Sequence, residues 1–327
     1  MDVRQVRPTD APLVLSLAID EASHLVKGRD WPAASPVLRT AARTALPLAV
    51  PGKSWIARDG PSVALLEAEP RQYVIGWDVT RLAARGENCE VLAAVAQAAV
   101  THLQTRGVPR LFARCEEEAS TMLKEIGFHA LAQEYVLLGP AGQVAGDIPL
   151  PVDSRYRMPP DNWPLHQLEV EITPSLVRQI EGLTSLDWSR RNRETKEIVV
   201  ERHGRIVAWI GWGAKVRPGL VKLGTLVHPG HKDLAPDLLH HALKTLPPNS
   251  RFVARVRSYH PELLRTFQDA GFRVMADQVI MVKHAEVEVA RTATARMRVV
   301  NVPGIQALPI QLKPAGRGPA QTRSPQE

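Results

Sequence analysis

Apolar positions along this chain fall into two kinds of pattern, and both kinds return in the same order in its second part. Val91, Val95, Ala99 and Leu103 recur at four-residue spacing, as do Leu234, Leu238 and Ala242, which predicts an amphipathic helix at each place. A short apolar run that reads as a strand follows each helix, Arg110-Leu111-Phe112-Ala113-Arg114 and Arg251-Phe252-Val253-Ala254-Arg255, with nearly the same letters. Before each helix lie two further strand-like runs, Val63 to Leu66 with Gln72 to Val79, and Ile206 to Trp212 with Leu220 to Val227.

Three landmarks frame these elements. The first is an extended opening that runs into a helix start, Val3 to Pro8 with Asp10 and Arg155 to Pro159 with Asp161. Proline fixes φ there, and aspartate suits the helix start. The second is a hairpin signal, Asp59-Gly60 and His203-Gly204, where glycine supplies the turn. The third is Ile126-Gly127-Phe128 and Ala270-Gly271-Phe272, closing a helix ahead of a strand, Gln133 to Leu138 or Gln278 to Val282. Gly60 to Gly127 and Gly204 to Gly271 are both spaced by 67 residues.

An internal repeat of this length predicts two domains, at 1–138 and 154–290, joined by a Gly- and Pro-rich linker at 139–153 and followed by an extension at 291–327. Each domain reads as strand, one or two helices, three strands, helix, strand, helix, strand. Early hairpins followed by a strand-helix-strand crossover predict an α/β fold, a mostly antiparallel mixed sheet with helices on both faces. At 327 residues and 44% apolar content the chain has material for two such cores.

Charge changes this picture little. The net charge is +7, yet six basic residues from Arg291 onward face Glu327 alone, which leaves about +2 for the rest. That extension, with Pro309, Pro314, Pro319 and Pro325, reads as a disordered tail. No aromatic platform accompanies the charge, so nucleic acid is not the expected partner. No apolar run reaches the length of a membrane span and the first ten residues carry Asp2, Arg4, Arg7 and Asp10, so a cytoplasmic location without a membrane partner is expected. Cys89 and Cys115 read as ordinary reduced thiols. His228, His231, His240 and His241 cluster without the spacing a metal needs, and no metal is expected. The basic run Asp187 to Arg193 reads as a solvated connector or as an attractor of acidic partners, and most of the seven tryptophans read as core.

In its landmarks and their order, over residues 3–138 and 154–290, the chain resembles the GNAT superfamily of acyl-CoA-dependent N-acetyltransferases in tandem form. Val227-His228-Pro229 and the helix-Gly-Phe-strand segments carry the likeness best. The resemblance implies acetyl-CoA, or another acyl-CoA, as cofactor and a small-molecule or peptide amine as acceptor. It also implies a loop before the third helix whose amides hold the pyrophosphate, aided by the helix N-terminus. The corresponding residues are Arg85, Gly86 and Asn88 in the first half and Lys232, Asp233 and Leu234 in the second. Asn88 and Glu90 stand where that pattern has small residues, the carboxylates of this loop would repel phosphate, and Asp233, Asp237 and Pro236 depart from the pattern in the other loop.

A tyrosine four residues before the Gly-Phe pair, which the family often uses to protonate the departing thiolate, is replaced by Leu123 and Phe267. Polar residues placed to take part in the chemistry are Asp78, Tyr259 and His260. Two functions stand side by side on this sequence: an N-acyltransferase acting on an unidentified amine, and a catalytically silent GNAT-fold module that binds a ligand or a protein.

Overall fold

A computed structural model of the chain describes residues 1–19, 24–27, 52–71, 76–86, 89–140, 149–182, 184–189, 196–245 and 250–284. The extension at 291–327, Asn88, residues 141–148 of the expected linker and Arg190 to Arg193 of the basic run lie outside the described residues.

The first half runs β1 (Asp2–Gln5), α1 (Ala11–Ile19), β2 (His24–Lys27), β3 (Lys53–Asp59), β4 (Ser62–Pro70), β5 (Trp77–Arg85), α2 (Cys89–Gln104), β6 (Arg110–Cys115), α3 (Glu117–Glu125) and β7 (His129–Leu138). The second runs β8 (Ser154–Tyr156), α4 (Asn162–Ile172), α5 (Ser175–Glu181), α6 (Ser185–Ser189), β9 (Lys196–Arg202), β10 (Arg205–Arg217), β11 (Leu220–Val227), α7 (Leu234–Lys244), β12 (Arg251–Arg257), α8 (Pro261–Asp269) and β13 (Arg273–His284). Apart from β2, the strands correspond one to one between the halves. The strand expected from Gln72 starts, among the described residues, at Trp77, and the two closing strands begin earlier than their apolar runs, at His129 and Arg273.

Local chemistry repeats with the topology. Arg4 donates to both oxygens of Asp10 at 2.6 and 2.8 Å, and Arg155 does the same to Asp161 at 2.7 and 2.8 Å. Each aspartate also accepts a backbone N–H at 2.7 Å, from Arg7 and from Met158, so the carboxylate ties the opening strand to the helix start. Gly127 and Gly271 follow their helices with φ of +86° and +84°, a left-handed turn that glycine enters without the strain of a Cβ.

The hairpins correspond, but their glycines do not occupy the same turn position. The β3–β4 loop is Gly60-Pro61, with Gly60 first at φ +56°, whereas the β9–β10 loop is His203-Gly204, both at positive φ (52° and 73°). Pro61 is held near φ −65° and cannot follow a positive-φ residue with another, so the first turn places its glycine in front.

Among the described residues the strands form one sheet in the order β1-β3-β4-β5-β6-β13-β7-β12-β11-β10-β9-β8, with β2 attached to β5. The closing strands are exchanged between halves. β13 pairs with β6 (Val279↔Cys115 to His284↔Arg110), and β7 pairs with β12 (Val253↔Leu138 to Arg257↔Glu134). Each core accordingly contains a piece of the other half. Val279 and Met281 are buried beneath α2 and α3, and Leu137 is buried with α7 and α8. On the opposite face α1 packs Val14 and Leu17 on Ile56, Val63 and Leu65, and α4 packs Leu165 and Leu168 against Val199, Trp188 and Trp209.

Candidate functional site

In each half a parallel strand pair separates part way along its length. β11 and β12 pair from Leu220↔Arg251 to Leu223↔Ala254 and then diverge. β5 and β6 pair only at Trp77↔Leu111 and Asp78↔Phe112. Beyond a parting of this kind the facing edges carry backbone donors and acceptors without a ladder partner, and something must satisfy them.

The two halves satisfy them differently. Along the first half, β4 pairs with one edge of β5 from Trp77 to Arg85, so β2, paired at Arg81, Leu82 and Ala83, lies on the edge facing β6. Val26 of β2 is buried in the first-half core. The chain's own strand thus fills the first parting.

In the second half no described strand enters the parting, and a cavity of about 170 Å³ lies there instead. It crosses the sheet. Leu263 and Phe267 of α8 line it on one face together with Leu223, Thr225 and Val256, while Glu169 of α4, Thr173 just past its end and Glu181 of α5 line it on the other with Arg255 and Arg257. Strand periodicity produces this division, because residues two apart share a face and neighbours do not.

Tyr259 and His260, which the sequence singled out, both line this cavity just past the end of β12, their rings 4.7 Å apart and edge to face. Burial pushes the Tyr259 phenol above its ordinary range, and a hydrogen bond with Thr173 acts the other way. Burial pulls the His260 imidazole below its ordinary value, although Glu262, 3.6 Å from Nδ1, favours the protonated form. Phe267, at the position without the expected tyrosine, lines the same cavity.

A belt of charge runs along the α4–α5 face from the first half into this cavity. Asp78 stands 3.2 Å from Arg71 and 3.2 Å from Arg114, and Arg114 stands 3.3 Å from Glu134. Glu134 also meets Arg255 at 3.5 Å and Arg257 at 3.2 Å, and Arg257 donates to Glu181 at 2.9 Å. Asp78, which the sequence offered as a base of the first half, is therefore buried between two guanidiniums. Sequence reading passed over Glu134, Glu169, Glu181, Arg255 and Arg257. The available signal was Arg255-Val256-Arg257, two cations at period two closing a strand whose middle is apolar.

The residues singled out for cofactor binding also separate. Arg85 is exposed at the end of β5, with Nη2 3.4 Å from Ser16. Gly86 has φ +90°, and a Cβ on it would stand 2.6 Å from Ser62 Oγ, so hairpin packing explains that glycine. In the second half Lys232 and Asp233 are exposed directly before α7, and Leu234 is buried as its first residue. Asp233 is drawn 3.8 Å from Arg202, whose Nη1 lies 3.1 Å from His231. Lys232, Arg202 and the amides at Asp233 and Leu234 are the donors here suited to phosphate, since the Ala235 N–H already donates to the Lys232 carbonyl at 3.2 Å and Pro236 has no N–H. Thr225 Oγ1, in the parting, is buried with no hydrogen-bond partner among the described residues, an opening for an amide-bearing thioester arm. The second half thus fits an acyl-CoA.

Of the cysteines, Cys89 is exposed at the start of α2, and burial pushes the Cys115 thiol up to about 12. No helix among the described residues is long and apolar enough to cross a membrane.

The architecture is shared with solved structures along most of the chain. It is similar to a tandem GNAT protein from the clavulanic acid biosynthesis pathway (TM-score 0.51, 14% identity, 87% of this chain and 98% of that one). It is also similar to a GCN5-related N-acetyltransferase from Sphaerobacter thermophilus (0.56, 18%, 87% and 95%) and to a Drosophila protein (0.51, 11%, 87% and 99%). No protein-family model matches the sequence, and no curated protein matches it. The chain has the tandem GNAT fold.

Proposed function

We propose that this chain is an acyl-CoA-dependent N-acyltransferase with its reaction centre in the parting of β11 and β12, the first half serving as support. One observation carries the reading: the same parting is filled by β2 in the first half and open across the sheet in the second, where Tyr259 and His260 converge.

The cofactor supplies an acyl thioester activated for transfer to an amine. Lys232 and the amides at Asp233 and Leu234 bind its phosphates, and Thr225 and the free edge of β11 orient its arm. His260, kept neutral by burial, takes a proton from the substrate ammonium, and the free amine that results attacks the thioester carbonyl. Tyr259, kept protonated by burial, gives a proton to the departing sulfur in place of the tyrosine that Phe267 replaces, and recovers one from the newly acylated nitrogen. Asp78 holds Arg71 and Arg114 and does not touch the reacting groups. Positioning amine and thioester on opposite sides of one opening supplies the remainder of the rate.

The test is release of free thiol from acetyl-CoA by the full chain over a panel of primary amines. Amine-dependent release that falls at least ten-fold in Tyr259→Phe supports the proposal. Binding of CoA with no release for any amine favours the catalytically silent module.

A further inference from the structure

The two walls of the second-half cavity differ in chemistry, and the polar wall describes a ligand. The α8 wall is apolar apart from Thr225. On the α4–α5 wall, Arg255 and Arg257 project together from β12 toward Glu169 and Glu181. Arg257 places Nε against Glu134 at 3.2 Å and Nη2 against Glu181 at 2.9 Å, while its Nη1 is buried with no hydrogen-bond partner among the described residues. A buried guanidinium N–H without an acceptor is costly, and an anionic oxygen is the acceptor it prefers. Glu181 and Glu169 accept hydrogen bonds from Arg257 and from the Trp188 indole, which fixes both carboxylates on the wall where an amine would lie. The volume, about 170 Å³, is below the roughly 300–1,000 Å³ of clefts that hold drug-sized ligands, so the occupant is small.

We infer that the acceptor is a small zwitterion of the amino-acid class, its carboxylate bound at Arg257 and its ammonium turned toward Glu169 and Glu181. This rests on the second-half parting being the acyl-transfer site. The apolar wall then receives the acyl arm and the charged wall receives the amino acid, with Tyr259 and His260 between them.

The experiment measures the thermal stability of the full chain, with and without CoA, against the standard L-amino acids at millimolar concentration. Each amino acid that raises the melting temperature is then compared with its carboxamide and its decarboxylated amine. The expected result is stabilisation by at least one amino acid, with binding weakened roughly ten- to hundred-fold when the carboxylate is removed. Equal binding by the carboxamides or the amines overturns the proposal, as does the absence of binding by every amino acid. Failure of CoA alone to stabilise the chain removes the acyl-transfer reading, while the amino-acid series still decides the nature of the pocket.

Discussion

Glu134 and Arg257 belong to different halves of the chain, yet the carboxylate of one stands 3.2 Å from Nε of the other. The strand exchange causes this, because β7 leaves the first half to pair with β12 at Arg257↔Glu134. Three guanidiniums, those of Arg114, Arg255 and Arg257, converge on that carboxylate, and two of them line the second-half cavity. Removing one partner of a buried ion pair leaves charge that nothing solvates. Glu134→Ala is therefore expected to cost about 3–5 kcal/mol of stability, and Glu134→Gln, which keeps shape and an acceptor, distinctly less. Urea titration of the purified variants measures both.

The exchange also predicts that the halves do not fold apart. A chain ending before β13 loses Val279 and Met281 from the first-half core, and a second half without β7 loses Leu137 and exposes the edge of β12. Fragments 1–148 and 149–287, made separately, are expected to show no sharp thermal transition and to regain one when mixed. Cooperative unfolding of either fragment alone would contradict the shared core.

Equivalent glycines should differ in tolerance. At Gly271 a Cβ meets only Pro140 at 3.9 Å, so Gly271→Ala is expected to cost left-handed strain alone, about 1–2 kcal/mol. At Gly127 a Cβ would lie 2.7 Å from Lys283 Nζ, which caps the Ile126 carbonyl at 2.5 Å. Gly127→Ala is expected to cost more, because strain and a lost cap add, and Gly127→Ala made in Lys283→Met should recover part of the difference. Melting temperatures of these three variants and of Lys283→Met alone give the comparison.

His260 gives the chain a pH dependence of known sign. Burial lowers its folded value, so as pH falls below about 6.5 the unfolded chain takes up the proton first. The unfolded state then binds more protons, and stability declines with falling pH until the folded value is passed. Replacing His260 with Gln should flatten the stability change between pH 7 and pH 5, and should remove the acid limb from the rate profile if the imidazole is the base. A limb of unchanged midpoint in the variant assigns the proton to another group.

Much of the fold was legible in the sequence, and for identifiable reasons. Helix periodicity at Val91 to Leu103, the strand letters at 110–114 and 251–255, and glycine at 127 and 271 each state a local requirement that the structure meets. The strand exchange was not legible, since Gln133 to Leu138 shows which face is buried but not which neighbour supplies the hydrogen bonds. Tyr259 and His260 were found because they follow a recognisable strand. Glu134, Glu169 and Glu181 were missed because three different elements bring them to the cavity. The filling of the first parting by His24–Lys27 depends on four residues whose letters resemble any short strand.

The difference between the two partings is tested most directly by hydrogen–deuterium exchange of the full chain with and without saturating CoA. Protection confined to residues 224–227 and 232–235, with exchange at 79–83 unchanged, is the expected result. Protection appearing at 79–83, or release of His24–Lys27 when CoA binds, would place the cofactor in the first half and contradict the account.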